Sequence, residues 1–189
     1  MISSRVWRCV AAGVTATWIV AGLAAGWAEC ADRKGDNMTY REAKDYLAKH
    51  TKVIELASED GTARVAICPE WQGRVMTSTC GGSDGPSFGF LHRDFIDEGK
   101  PNLQFANYGG EDRMWLSPEG GQFSLWFKPG AAQNLDHWFT PPAMNEGPFD
   151  VAPGRDAAAC RMSRRMELAN ASATAFDFAV TREVRLLSA

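Results

Sequence analysis

The spacing of apolar residues along the chain indicates one helix near its start and strands after it. Side chains that would share one face of a helix recur at Tyr40, Ala43, Leu47 and His50. Thr39 precedes this run and Glu42 follows three residues later, which is the pattern of a capping box. The sequence therefore predicts one short helix over residues 40–50.

Beyond this helix, apolar and polar residues alternate in short runs, as they do in half-buried strands. Runs of this kind occupy residues 52–57, 62–68, 74–79, 122–128, 161–168 and 175–187. One helix followed by many strands favours a mainly β fold, an antiparallel β-sandwich with a single short N-terminal helix. The last run continues almost to Ala189, so we expect the sequence to be the N-terminal part of a longer sandwich.

Residues 1–28 differ in composition from the rest of the chain. Arg5 and Arg8 are followed by a run without charged residues up to Ala28, which is typical of a secretory signal peptide. An uncleaved membrane anchor is the alternative, because the run is nearly long enough to span a bilayer. We expect cleavage after Ala28, since Gly26 and Ala28 are small residues at the positions where the cleavage site needs them.

Cleavage would leave a flexible polar linker over residues 29–37 and one domain over residues 38–189. The product would be exported to the periplasm or the extracellular space and would have no stable membrane span. The whole chain has 20 Lys and Arg against 23 Asp and Glu, a formal net charge of −3. Because no basic stripe is available to neutralise phosphates, nucleic acid is excluded as a partner.

Four cysteines follow the predicted leader: Cys30, Cys68, Cys80 and Cys160. Export permits disulfides, but the sequence leaves their pairing open, and buried free thiols in strands are an equal alternative. The sequence contains no C-x-x-C motif and no Cys/His cluster. We therefore expect neither a structural zinc site nor another cofactor.

Residues 105–128 combine charged and aromatic side chains with two double glycines, which permit sharp turns or a close approach of the backbone to a ligand. The candidate ligand-binding residues in this segment are Glu111, Asp112, Arg113, Trp115 and Glu119. Carboxylates and arginine form bidentate hydrogen bonds, and aromatic faces stack on the C–H faces of sugar rings. The segment thus indicates a carbohydrate site. The alternatives are a loop held by an internal acid–arginine network with tryptophan in the core, and a Ca²⁺ site made by the three acids.

His137 and Trp138 are two further candidate ligand-binding residues, and they directly follow Asp136. An acid, a histidine and an aromatic residue in this order could form an acid–base centre or a platform for a sugar. A loop histidine anchored by a backbone carbonyl is the alternative.

Arg164 and Arg182 fall on the apolar face of their predicted strands, where an unpaired charge is costly. We expect either that a β-bulge shifts their register or that they bind acids or a ligand. The candidate acids are Glu111, Asp112 and Glu119.

Four segments together resemble an uncharacterised family of exported bacterial proteins. They are PEWQGRVMTS at 69–78, NYGGEDRMW at 107–115, PEGGQF at 118–123 and HWFTPP at 137–142. The resemblance covers about residues 38–189, and that family is similar to a branch of the galactose-mutarotase-like, or aldose 1-epimerase-like, superfamily. The resemblance implies a β-supersandwich with a carbohydrate ligand on its concave sheet.

The resemblance leaves the reaction open. Aldose epimerases carry a histidine where this chain has Tyr108, and their catalytic glutamate lies near the end of the complete fold. Mutarotation needs one group to take the anomeric hydroxyl proton and another to protonate the ring oxygen. The resemblance thus implies sugar binding. It implies action at a sugar anomeric centre only for the longer protein of which this sequence is expected to be a part. A non-catalytic envelope module, structural or sugar-binding, and a truncated inactive fragment are the alternatives.

Overall fold

The computed structural model of the chain describes residues 38–100, 104, 108–145, 147–152 and 158–187. The predicted signal peptide, the predicted linker and Cys30 lie outside these residues. The described chain is mainly β, and its strands form two antiparallel sheets of three strands each, which confirms the predicted fold class. None of the helices within these ranges has the length and apolar character needed to cross a membrane.

The first sheet is built from neighbouring hairpins in the order β1-β2-β3. Its strands are β1 (Ile54–Ala57), β2 (Arg64–Cys68) and β3 (Arg74–Thr79). The turn between β1 and β2 is held by Asp60, whose carboxylate accepts hydrogen bonds from the hydroxyl groups of Ser58 and Thr62. These bonds stabilise the charged form and lower the pKa of Asp60 to about 2.

The second sheet has the order β4-β5-β6. Its strands are β4 (Asp150–Val151), β5 (Ala159–Ala169) and β6 (Ala175–Arg185). Alternate side chains of β5 are buried, as its sequence pattern predicts. Asn170 closes the β5–β6 turn, because its side-chain oxygen accepts from the backbone N–H groups of Ser172 and Thr174.

The predicted helix is present as α1 (Tyr40–Leu47) with both bonds of its capping box. It ends before residue 50, because the backbone N–H groups of Lys49 and His50 bond three residues back and tighten the last turn. Three further short segments carry no strong periodic signal. They are α2 (Arg93–Glu98), α3 (Pro142–Asn145) and a single 3-10 turn, η1 (Leu135–His137).

The two sheets pack face to face through a shared apolar core. Its buried members are Leu56, Ile67, Phe149, Cys160, Met162 and Met166. On the opposite face of the first sheet, α1 packs through Ala43 and Leu47 against Cys68 and Met76. The layers therefore run helix, sheet, sheet. Cys68 and Cys160 are buried thiols outside any disulfide.

The strand predicted over residues 122–128 is wrong. Leu125, Trp126 and Phe127 are buried in succession, whereas Phe123 is 62% exposed, and alternation cannot produce that sequence of burial. The segment is an irregular loop. The backbone N–H of Ser124 donates to the carbonyl oxygen of Gly121 at 3.1 Å, and the backbone N–H of Trp126 donates to the Ser124 hydroxyl at 3.1 Å. The three buried side chains form a third apolar cluster with Met144 and Leu168.

Candidate functional site

Arg74, the first residue of β3, is the most deeply buried charged side chain of the site, with 1% of its surface exposed. The preceding turn buttresses it through Gln72, a buried residue with a left-handed φ of 67°. The Gln72 amide oxygen accepts from Nη2 of Arg74 at 2.9 Å, and its amide nitrogen donates to the carbonyl oxygen of Met144 at 2.5 Å. Nη1 of Arg74 donates to the carbonyl oxygen of Gly109 at 2.7 Å. Its Nε is buried without a hydrogen-bond partner.

The double glycine at 109–110 lets a loop lie directly against Arg74 and the chain around Phe90. Both glycines have positive φ, 88° at Gly109 and 100° at Gly110. A Cβ on Gly109 would lie 2.1 Å from the carbonyl oxygen of Phe90, and one on Gly110 would lie 2.6 Å from Cδ of Arg74. Any larger residue would push the loop away. Gly109 and Gly110 therefore allow the loop backbone to lie against the Arg74 side chain and the Phe90 backbone.

The loop continues along the free edge of β3 and brings Asp112 to the centre of the site. The backbone N–H of Glu111 donates to the carbonyl oxygen of Val75 at 2.9 Å. The Asp112 carboxylate accepts from the N–H of Val75 at 2.8 Å and from Nη2 of Arg182. The expectation that Arg182 binds one of three candidate acids is confirmed. Arg164, the other arginine on an apolar face, donates to the carbonyl oxygen of Gly147 at 3.2 Å.

Arg113 and Arg182 lie close enough to Arg74 for their charges to act on it, as does Asp112, and we call these four residues the arginine cluster. The guanidinium carbon of Arg113 lies 4.5 Å from the ring centroid of Trp115. Its Nε and Nη2 are buried and have no hydrogen-bond partner. Burial lowers the pKa of Arg113. Burial, reinforced by the charges of Arg113 and Arg182, lowers the pKa of Arg74 to about 10, while Asp112 opposes the shift.

Three indole rings form a second group, the tryptophan cluster: Trp115, Trp126 and Trp138. The ring centroids of Trp115 and Trp126 are 3.9 Å apart, and those of Trp126 and Trp138 are 5.3 Å apart with nearly parallel planes. Trp126 is fully buried, and its indole N–H donates to the carbonyl oxygen of Leu116 at 2.9 Å. Trp115 and Trp138 remain partly exposed, so they present aromatic surface around a rigid centre.

Trp138 also lines an open cleft with a volume of about 360 Å³. Its walls are formed by Gln104, Lys128, Ala131, Asp136, His137, Trp138 and Phe139. Nδ1 of His137 lies 2.6 Å from the side-chain oxygen of Asn134, and the backbone N–H of His137 donates to the backbone carbonyl oxygen of Asn134 at 3.2 Å. The ammonium of Lys128 lies 6.0 Å from the ring centroid of Phe139. The cleft thus offers aromatic walls with both charge signs.

Residues 38–189 match a family of unknown function, DUF6786. The chain belongs to this family. Comparison with curated proteins finds no match, and neither does comparison with solved structures. The family match spans all the elements that build the arginine cluster, the tryptophan cluster and the cleft.

The fold of this family member brings five of the seven sequence-predicted site residues into one connected group. Asp112 and Arg113 belong to the arginine cluster, Trp115 and Trp138 to the tryptophan cluster, and Glu119 accepts from the indole N–H of Trp115 at 2.8 Å. Of the other two, His137 lines the cleft, and Glu111 turns away to accept from the Ser78 hydroxyl at 2.8 Å. Glu111 is exposed as a residue, but partial desolvation of its carboxylate raises its pKa.

The three acids considered for Ca²⁺ thus have different partners and do not converge. Within the residues described, no group of three His, Cys, Asp or Glu side chains is arranged to hold a metal ion.

Gln72, Arg74 and Trp126 are central to the site and were not among its predicted residues. Arg74 opens an apolar strand, and only its position beside the Gln-Gly turn distinguishes it in the sequence. Trp126 lies in the run over residues 122–128 that alternates like a strand. The decisive contacts of both residues lie outside their own segments, at Gly109 for Arg74 and at Trp115 and Trp138 for Trp126.

Proposed function

We propose that this protein is an exported carbohydrate-binding protein of the mutarotase-like type. Its ligand would lie across the cleft and the tryptophan cluster and reach the arginine cluster. The observation that carries the proposal is that the ring centroid of partly exposed Trp115 lies 4.5 Å from the guanidinium carbon of Arg113 and that this ring stacks near partly exposed Trp138. Two buried nitrogens of Arg113 have no hydrogen-bond partner in the described part of the chain. Aromatic surface beside unsatisfied planar donors is the combination that sugars require.

The physical basis is the two-sided chemistry of a sugar ring. Its C–H face is weakly positive and packs on the electron-rich face of an aromatic ring. Its hydroxyl groups accept hydrogen bonds, and the fork of an arginine can reach two neighbouring hydroxyls at once. Trp138 in the cleft supplies the first contact, and Arg113 beside Trp115 supplies the second.

Binding is proposed here without a reaction. Acid–base chemistry at an anomeric carbon needs two groups that are placed to exchange protons with the sugar. Asp112 is engaged by Val75 and Arg182, and Glu119 by the indole of Trp115. These carboxylates position the site, and a catalytic pair would require further groups.

A structural role is the second candidate function. The ion pair between Asp112 and Arg182 joins a loop to β6, and Trp126 is wholly internal. Both contacts would be made in an envelope module that binds no sugar. The two candidate functions predict different effects on sugar affinity when a side chain of the cleft is removed.

The test is a binding screen of the full-length chain against neutral and acidic oligosaccharides by isothermal titration calorimetry. For the best ligand, Trp138→Ala should weaken affinity by roughly tenfold, the effect of losing about 1.4 kcal/mol of aromatic contact. The matched control is Phe88→Ala, which removes an exposed aromatic side chain outside the cleft and both clusters. Absence of binding to every sugar would favour the structural role.

A further inference from the structure

The arginine cluster carries more positive charge than its surroundings compensate. The charges of Arg113 and Arg182 both lower the pKa of Arg74, and the carboxylate of Asp112 opposes them. The two oxygens of Asp112 are occupied by Val75 and Arg182. Arg113 lies over Trp115 and forms no ion pair with an acid among the residues that the structure describes.

The nearest acids of the same loop do not supply the missing negative charge. Glu111 accepts hydrogen bonds from Ser78, and Glu119 accepts from the indole of Trp115. Within the described part of the chain, neither forms an ion pair with an arginine of the cluster. The excess of positive charge is therefore a property of the folded site.

The same side chains leave hydrogen-bond donors unused. Nε of Arg74 and both Nε and Nη2 of Arg113 are buried and have no partner among the described residues, and Arg74 is 1% exposed. Folded proteins pair nearly all such atoms, because a buried donor left unpaired loses its bonds to water without replacement. A cluster with excess charge and unused donors is built to receive an anion.

We infer that the carbohydrate ligand carries a carboxylate, as a uronic acid residue does, and that this carboxylate binds at the arginine cluster beside Trp115. The inference rests on the proposed function and names the substrate class of the same site. A planar carboxylate matches the arginine fork with two parallel hydrogen bonds. In a uronate the carboxylate is attached directly to the ring, so ring and charge are held close together.

The dimensions of the site suit this arrangement. Trp115 lies 4.5 Å from the guanidinium carbon of Arg113, and its centroid is 6.4 Å from that of Trp138. A short acidic oligosaccharide can therefore contact Trp138 in the cleft and reach Arg113 with one carboxylate. Lys128 in the cleft wall adds a further positive charge along the path.

The experiment compares uronate oligosaccharides with the same molecules after reduction of their carboxyl groups to hydroxymethyl groups. Calorimetry with the full-length chain should show the uronate binding about tenfold or more tightly than its reduced counterpart, the range for charge-assisted hydrogen bonds. The difference should shrink as salt is added, because ions screen the attraction. Sulfated oligosaccharides of equal length form a third arm.

Variants assign the effect to the cluster. Arg113→Gln should abolish the preference for the uronate over its reduced form, whereas Arg113→Lys should retain part of it, since an ammonium keeps the charge and loses the fork. The matched control is Arg165→Gln, the same change of charge at an exposed arginine of β5 paired with Asp177. This control should leave the preference unchanged. If Arg113→Gln fails to fold, the comparison of the uronate with its reduced form on the wild-type chain still tests whether the carboxylate is recognised.

Equal affinity for the uronate and its reduced form would overturn the inference and leave the proposed sugar binding intact. Tight binding of sulfated sugars without binding of uronates would overturn the choice of carboxylate. If the protein bound none of these sugars and no neutral sugar, the proposed function itself would be wrong.

Discussion

Asp112 accepts a hydrogen bond from the guanidinium of Arg182, which lies 70 residues later in the chain. The other oxygen of the same carboxylate accepts from the backbone N–H of Val75 in β3. One side chain thus joins an edge strand of the first sheet to an edge strand of the second. It also offsets part of the positive charge of the arginine cluster. Asp112 therefore affects both the stability of the fold and the charge of the proposed ligand site.

Loss of this carboxylate should destabilise the fold. Asp112→Ala leaves Arg182 largely buried beside two other arginines and removes the acceptor for Val75. The free energy of unfolding should fall by about 2 kcal/mol, between the values for exposed and buried ion pairs. Chemical denaturation measures the change.

Asp177→Ala is the control for this prediction, because Asp177 pairs with the exposed Arg165 on β5. Its effect should be much smaller than that of Asp112→Ala, because water screens an exposed ion pair. Equal losses in the two variants would mean that Asp112 is no more than a surface acid.

Trp126 should be the residue of the tryptophan cluster on which stability depends most. It is fully buried, and it stacks on both other indoles. Trp126→Ala should lower the free energy of unfolding by about 3–5 kcal/mol, as when other large core side chains are truncated. Phe123→Ala in the same loop removes an exposed ring and should change stability by less than about 0.5 kcal/mol. A small effect of Trp126→Ala would show that the cluster is peripheral.

Cys68 should resist alkylation in the native protein. Burial raises its pKa to about 12 and also raises the pKa of Cys160, so both thiols stay neutral at pH 8 in the folded state. Iodoacetamide should modify them only after denaturation, as read by peptide mass spectrometry. Because the folded pKa of Cys68 lies above its ordinary value of 9.0, its contribution to stability is present below pH 9 and is lost as pH rises toward 12. Rapid labelling of native Cys68 would contradict this burial.

Export should remove the first 28 residues, which precede the described part of the chain. N-terminal sequencing of protein recovered from the exported fraction should begin at Glu29, because Gly26 and Ala28 satisfy the small-residue requirement of the cleavage site. Recovery of chains that retain Met1 in a membrane fraction would favour the uncleaved anchor.

The sequence by itself determined the features that depend on neighbours within a few residues. The capping box of α1 needs only Thr39 and Glu42, and both of its bonds are formed. Strand β3 coincides with its predicted run, because its β-branched residues favour an extended backbone. Alternation along the last predicted run placed Arg182 on an apolar face, where a charge needs a partner. Local pattern is enough wherever the stabilising contact is itself local.

The tertiary structure alone decided which distant groups meet. Gln72 holds Arg74 by bonding to Met144, 72 residues away, and Arg74 bonds to Gly109, 35 residues away. The run from 122 to 128 alternates like a strand, yet it forms an irregular loop because Trp126 gains more by packing between two other indoles than a strand would allow. No periodicity within a segment can encode such contacts, since their free energy comes from surfaces that come together only in the folded chain.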